Sequence, residues 1–153
     1  MCKKEVVLGL FVDIGNAKNR DERKRIRQEI IKVCKPVVDN ICRMHIKYQQ
    51  PDRGLEDYGN LLITCERAGQ PLPSLKSPVY DEEWGEITFV FDAAGLDNVA
   101  TLELDMLEDG AEQKLEDTLI NLRIDDLTGF IEEGEDRYKQ ELEELMQLQK
   151  ARK

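Results

Sequence analysis

The sequence predicts an α+β fold with a helical N-terminal half, an antiparallel β-hairpin or small sheet, and C-terminal helices. Three observations predict it. Apolar residues recur at three- and four-residue steps through most of residues 20–68, and the period then changes to alternation over 86–91 and 100–106. A helical pattern rich in Glu, Lys and Leu returns after residue 135. At 153 residues the chain has the length of one domain. It reads as a single compact unit over 1–153: a basic, mostly helical part (1–69), a Pro-rich connector (70–80) and an acidic strand-then-helix part (81–153). A chain of this size buries enough surface to fold without disulfides or a structural metal.

Residues Glu5–Ile14 alternate, with Val6, Leu8, Leu10, Val12 and Ile14 on one face and Val7 and Phe11 on the other. That pattern predicts a strand covered on both sides, although Val7, Leu10, Phe11 and Ile14 also fit a helical face. Gly15-Asn16 ends the element in either case. Arg20–Arg43 is helical, with Ile26, Ile30, Val33, Cys34, Val37, Ile41 and Cys42 on its apolar side. Pro36 lacks an N–H and clashes with the preceding turn, which predicts a kink or two consecutive helices. Leu55, Tyr58, Leu61, Leu62, Cys65 and Ala68 mark the next helix, with Asp52 as its expected N-cap and Gly69 as its stop. The connector holds Pro71, Pro73 and Pro78 and reads as an ordered link.

The acidic part opens with a strand at Glu86–Phe91, followed by a turn-rich stretch and a second strand at Ala100–Met106, a hairpin with one wet face. Leu115–Ile131 fits a helix or a third strand. Its content of Glu, Lys and Leu favours the helix. The final helix spans Glu135–Lys150, with a Glu135–Lys139 pair in the favourable order and a narrow seam of Tyr138, Leu142, Leu145, and Leu148 or Met146.

Charge is distributed unevenly. Residues 1–79 carry 15 Lys/Arg against 10 Asp/Glu, and residues 80–153 carry 7 against 22, within a formal charge of −10. The halves suit partners of opposite sign if folding keeps them apart. The densest basic run, Lys18–Arg27, has no aromatic residue to stack a base and reads as a solvated helix face, not as a sequence-specific nucleic-acid contact. Glu132, Glu133, Glu135, Asp136, Glu141, Glu143 and Glu144 form an acidic strip that can imitate phosphate spacing and enter a basic groove on another protein. Tyr80 and Trp84, the only tryptophan, flank Asp81-Glu82-Glu83. Trp84 either closes the core where the strand begins or stands beside the acids as an interface anchor.

Catalytic chemistry has few candidates. Asp13 and Asp92 each follow an apolar run, and carboxylates at two strand ends can share a divalent cation, with Glu103 or Asp105 as a third ligand. The stretch around Asp13 faintly resembles nucleases and ATPases with ribonuclease-H-like or actin-like cores over about six residues, and the long helix that follows departs from them. Cys34, Cys42, Cys65 and His45 could form a zinc site but lack a compact CxxC knuckle, and the three cysteines sit on apolar helical faces. His45 is the only histidine, and Ser74 and Ser77 are the only serines, with no GxSxG elbow around either. No P-loop, GxGxxG, HExxH or EF-hand pattern is present.

The expectation is therefore a small cytoplasmic binding protein, an inhibitor or adaptor without cofactor, metal or catalytic set, whose acidic surface engages a basic partner such as a nucleic-acid-handling protein. Its partner-binding residues are Tyr80, Trp84, Glu132, Glu133, Asp136, Glu141, Glu143 and Glu144. The alternatives are a metal-dependent phosphodiester or nucleotide hydrolase using Asp13 and Asp92, and an oligomer subunit pairing through the C-terminal helix. No stretch is long and apolar enough to span a membrane, no signal-peptide cleavage site follows Val6–Val12, and the cysteines read as reduced thiols.

Overall fold

A computed structural model describes residues 2–153. The described residues form five helices, α1 (Lys3–Gly15), α2 (Arg20–Lys47), α3 (Glu56–Ala68), α4 (Ala111–Glu132) and α5 (Lys139–Ala151), and a three-stranded sheet of β1 (Lys76–Asp81), β2 (Glu86–Ala93) and β3 (Leu96–Glu103). The strands pair antiparallel in sequence order. The expected α+β fold, with helices before and after a small sheet, is what the chain forms.

The first element corrects the sequence reading, because Lys3–Gly15 is a helix and not a strand. Val7 is fully buried, and Leu10, Phe11 and Ile14 pack beside it at helical spacing. Alternation across Val6–Ile14 arises because apolar residues occupy nearly the whole segment, so either period fits. Helix α2 runs unbroken through Pro36, which points to solvent, so the two-helix alternative is not realised. Its start is fixed by Asn19, whose side chain accepts the Glu22 N–H at 2.8 Å, while the Glu22 carboxylate accepts the Lys18 N–H. Asp52 does not cap α3. It accepts the Gly54 N–H two residues on, and α3 starts after Leu55. Gly69, at φ 65°, ends α3 as expected.

The Pro-rich connector, which the sequence predicts to be an ordered link, holds the edge strand β1. The second strand starts earlier than expected, directly after a two-residue Ala94-Gly95 turn with both φ positive (56° and 79°), and gives way at Leu104 to a short 3-10 segment. Leu115–Ile131 lies within helix α4. Helix α5 starts at Lys139, so Glu135 lies outside it. Glu135 pairs with Arg137, and Lys139 pairs with Asp136.

One face of the sheet, Ile87, Phe89, Phe91, Ala100 and Leu102, meets Ile30, Cys34, Val37, Val38 and Ile41 of α2 in the core. Two buried ionic groups join elements there. Asp39 of α2 accepts the Tyr58 hydroxyl of α3 at 2.5 Å and the Lys35 ammonium at 2.7 Å, and Tyr58 stacks edge-on against Phe91 at 5.2 Å. Arg123 of α4 forks onto both oxygens of Glu141 in α5, at 2.8 and 3.1 Å.

Burial pushes the Cys34 and Cys42 thiols up to about 12 from a usual value near 9.0. A raised acid keeps its proton in the folded chain while the unfolded chain loses it. These thiols therefore contribute stability that is complete below pH 9 and lost as pH rises towards 12. Melting temperature is expected to fall from pH 9 upwards, and the Cys34→Ala/Cys42→Ala variant should show a shallower fall between pH 9 and 10. Parallel melting curves of the two proteins check this.

Candidate partner-binding surface

The sheet has a second face, and its composition follows from the register. With Ile87, Phe89 and Phe91 turned inward, Glu86, Thr88, Val90 and Asp92 of β2 must point out. Their partners on β3 are Glu103, Thr101, Val99 and Asp97, and on β1 Asp81, Val79 and Lys76 face Glu86, Thr88 and Val90. The outer face is thus a strip of Val79, Val90, Val99 and two threonines bracketed by acids. Across one end run Asp81, Glu86 and Glu103, and across the other Asp92 faces Asp97. Val79 and Val99 keep 59% and 60% of their surface exposed.

Hydrogen bonding sharpens the electrostatics. The Thr101 N–H donates away from β2, to the Gly54 carbonyl at 3.2 Å. Thr88–Thr101 is therefore a non-hydrogen-bonded pair, and by alternation so are Glu86–Glu103, Val90–Val99 and Asp92–Asp97. In such pairs Cα atoms approach to about 4.5 Å and side chains are closest. Each like-charge pair in this position costs on the order of 0.2–1 kcal/mol. Lys76 relieves one of them by reaching Asp97 at 3.2 Å. Among the described residues, Asp81, Glu86, Glu103 and Asp92 have no cationic partner.

The β1–β2 turn projects from the triple-acid end. The Asp81 carboxylate accepts the Glu83 and Trp84 N–H groups at 3.0 and 3.2 Å, and Gly85, at φ 63°, lets the chain reverse. The Gly85 carbonyl accepts the Leu104 N–H at 2.8 Å and ties the turn to the chain leaving β3. Trp84 is held out at 71% exposure, so it does not close the core. Tyr80, in contrast, stacks on Phe11 with ring centroids 5.5 Å apart and is half-buried.

The remaining sequence-derived residues lie elsewhere. Glu132, Glu133 and Asp136 occupy the bend between α4 and α5, at the far end of a 22-residue helix about 33 Å long. Glu143 and Glu144 are exposed on α5. Glu141 is turned inward to Arg123 and belongs to the packing of the helix pair. The expected acidic strip is thus interrupted at Glu141. Of the seam offered for oligomerisation, Leu145 and Leu148 pack against the core and Tyr138 against Phe130, while Met146 stays exposed. Glu86 and the valine strip were missed, and Glu103 was offered only as a metal ligand. The alternation that located the strands carried the signal: the positions alternating with Ile87, Phe89 and Phe91 are Glu86, Thr88, Val90 and Asp92.

Asp13 lies on a helix, so the two carboxylates do not both end strands, and Asp92, near the end of β2, accepts the Gly95 N–H at 3.0 Å in the hairpin turn. Among the described residues no group of three or more His, Cys, Asp or Glu is placed to hold a metal ion. Cys42 and His45 line a cavity of about 180 Å³ between α2 and α3. The thiol is held protonated by burial, and the His45 ring nitrogens face the Gln50 carbonyl and the Asp52 carboxylate. Among the described residues no helix is long and apolar enough to cross a membrane. Comparison with protein-family models, curated proteins and solved structures finds no match.

Proposed function

We propose that the protein is a binding module, an inhibitor or adaptor, that presents the outer face of its sheet and the Trp84 turn to a basic surface on a partner protein. The observation that carries this is the set of like-charge pairs at the closest cross-strand positions, beside exposed valines and an exposed tryptophan. Such an arrangement works against folding, because opposed carboxylates repel and the valine strip gains nothing from water. A cationic partner would relieve the repulsion and cover the strip in one step. A groove built to hold nucleic acid has the matching charge, which makes a nucleic-acid-handling protein a fitting partner. The bend acids Glu132, Glu133 and Asp136, with Glu143 and Glu144, would add long-range attraction. Four unpaired cysteines, two of them buried, support a reducing, cytoplasmic setting.

This reading predicts opposite effects on folding and binding. Glu86→Gln/Glu103→Gln should raise the melting temperature slightly by removing repulsion, while weakening partner affinity by about tenfold and flattening its salt dependence. Thermal melts and a salt-series titration with the partner measure both. Unchanged affinity in that variant would remove the acidic face from the account.

A further inference from the structure

The two edges of the sheet are not alike. On β1, the residues whose backbone turns away from β2 include Pro78, which has no N–H, and Ser77 interrupts the register at φ 54°. Proline and a bulge are the devices that blunt an edge strand. On β3 neither device is present. The outward Thr101 N–H fixes the parity, so the N–H and C=O groups of Asp97 and Val99 also point away from β2. The Gly54 carbonyl takes the Thr101 N–H, and no backbone bond to the N–H or C=O of Asp97 or Val99 from outside the sheet is present among the described residues. The same two residues place their side chains on the acidic outer face.

We infer that the free edge of β3 accepts an extended, basic segment of the partner as a fourth strand, bonded to Asp97 and Val99, with an apolar residue opposite Val99 and a basic one opposite Asp97. The inference rests on the binding role proposed above and names the form its partner takes. The charge decides the occupant. A second copy of this chain would bring another Asp97 and Glu103 and a net charge of −10 to the same edge, whereas a basic strand extends the rows of acids with cations.

The test uses the full chain, labelled with ¹⁵N, and the blocked peptide Val-Thr-Lys-Thr-Lys, which, running antiparallel to β3, places Val opposite Val99 and Lys opposite Asp97 and stops short of Thr101, where Gly54 is bonded. At low ionic strength the peptide should slow amide exchange at Asp97 and Val99. N-methylation of its valine keeps the charge and removes a backbone donor, and should weaken binding by about tenfold. Val99→Pro should do the same, because the lost N–H takes no part in the β2 ladder and proline is tolerated on an edge. Equal binding of both peptides with unchanged exchange at Asp97 and Val99 would overturn strand addition, as would no binding of the unmethylated peptide. Amides protected in the isolated protein and released on dilution would overturn it in favour of a second copy. If Glu86→Gln/Glu103→Gln alone weakens binding, the acidic-face reading stands without strand addition. If only backbone methylation matters and salt does not, strand addition stands and the acidic-face reading falls.

Discussion

Glu141→Ala is expected to cost about 3 kcal/mol of folding stability, the largest single effect in this protein outside direct cavity formation. Arg123 is buried, and its guanidinium forks onto Glu141 while lying 5.8 Å from the Tyr138 ring centroid. Removing the carboxylate leaves a buried cation with no acceptor. Glu141 is itself 39% exposed, so water screens part of the pair and the figure belongs at the low end of the range for breaking buried ion pairs. The double variant Arg123→Met/Glu141→Leu should recover most of the loss, because apolar side chains of similar size need no partner. Denaturant unfolding of the three proteins measures this. A loss below about 0.5 kcal/mol for Glu141→Ala would mean that the fork contributes no more than an exposed pair.

Tyr58→Phe is expected to cost about 2 kcal/mol, within the range for leaving a buried charged acceptor short of a donor. The ring would still stack on Phe91, so the change isolates the hydroxyl. Asp39 would keep Lys35, whose ammonium is partly exposed, and would lose its only buried donor. Burial, the hydrogen bond and the nearby Asp39 charge all raise the Tyr58 hydroxyl well above its usual range, so it remains a donor at any pH where the protein is folded. Adding Asp39→Asn to Tyr58→Phe should restore part of the stability, since a neutral amide tolerates burial better than an unpaired carboxylate. Urea titration of the single and double variants separates the two contributions.

Much of the architecture is legible in the residues. The steps from Ile26 to Cys42 and from Leu55 to Ala68 are helical faces that meet the sheet, and Ile87, Phe89 and Phe91 define its inner side. Two elements resisted for physical reasons. Helix α1 is apolar on nearly every side, so no polar stripe marks its period, although only Val7 is buried and Val12 stands exposed. Strand β1 is short, bulged and proline-bearing, and these features protect an edge as well as resembling a linker.

The site was legible only in part. The excess of acid in residues 80–153 is plain in the sequence, and so is Trp84 beside Asp81-Glu82-Glu83. Which acids face each other is set by register, and a strand shifted by one residue would turn Glu86 and Asp92 inward. Glu141 shows the converse: on a helix surface it looks like one more solvated acid, and only the packing of α4 on α5 assigns it to Arg123. Charge counting found the region, while pairing geometry separated the acids that support the fold from those that oppose it.

The most direct test of the binding role compares two proteins in one capture experiment. The wild type and the Trp84→Ala/Glu86→Gln/Glu103→Gln variant are immobilised and exposed to lysate of the native host at low and at high salt, and retained proteins are identified by mass spectrometry. The account predicts one basic protein held by the wild type at low salt, released at high salt and absent from the variant. The same protein retained equally by both, or retention indifferent to salt, would contradict it.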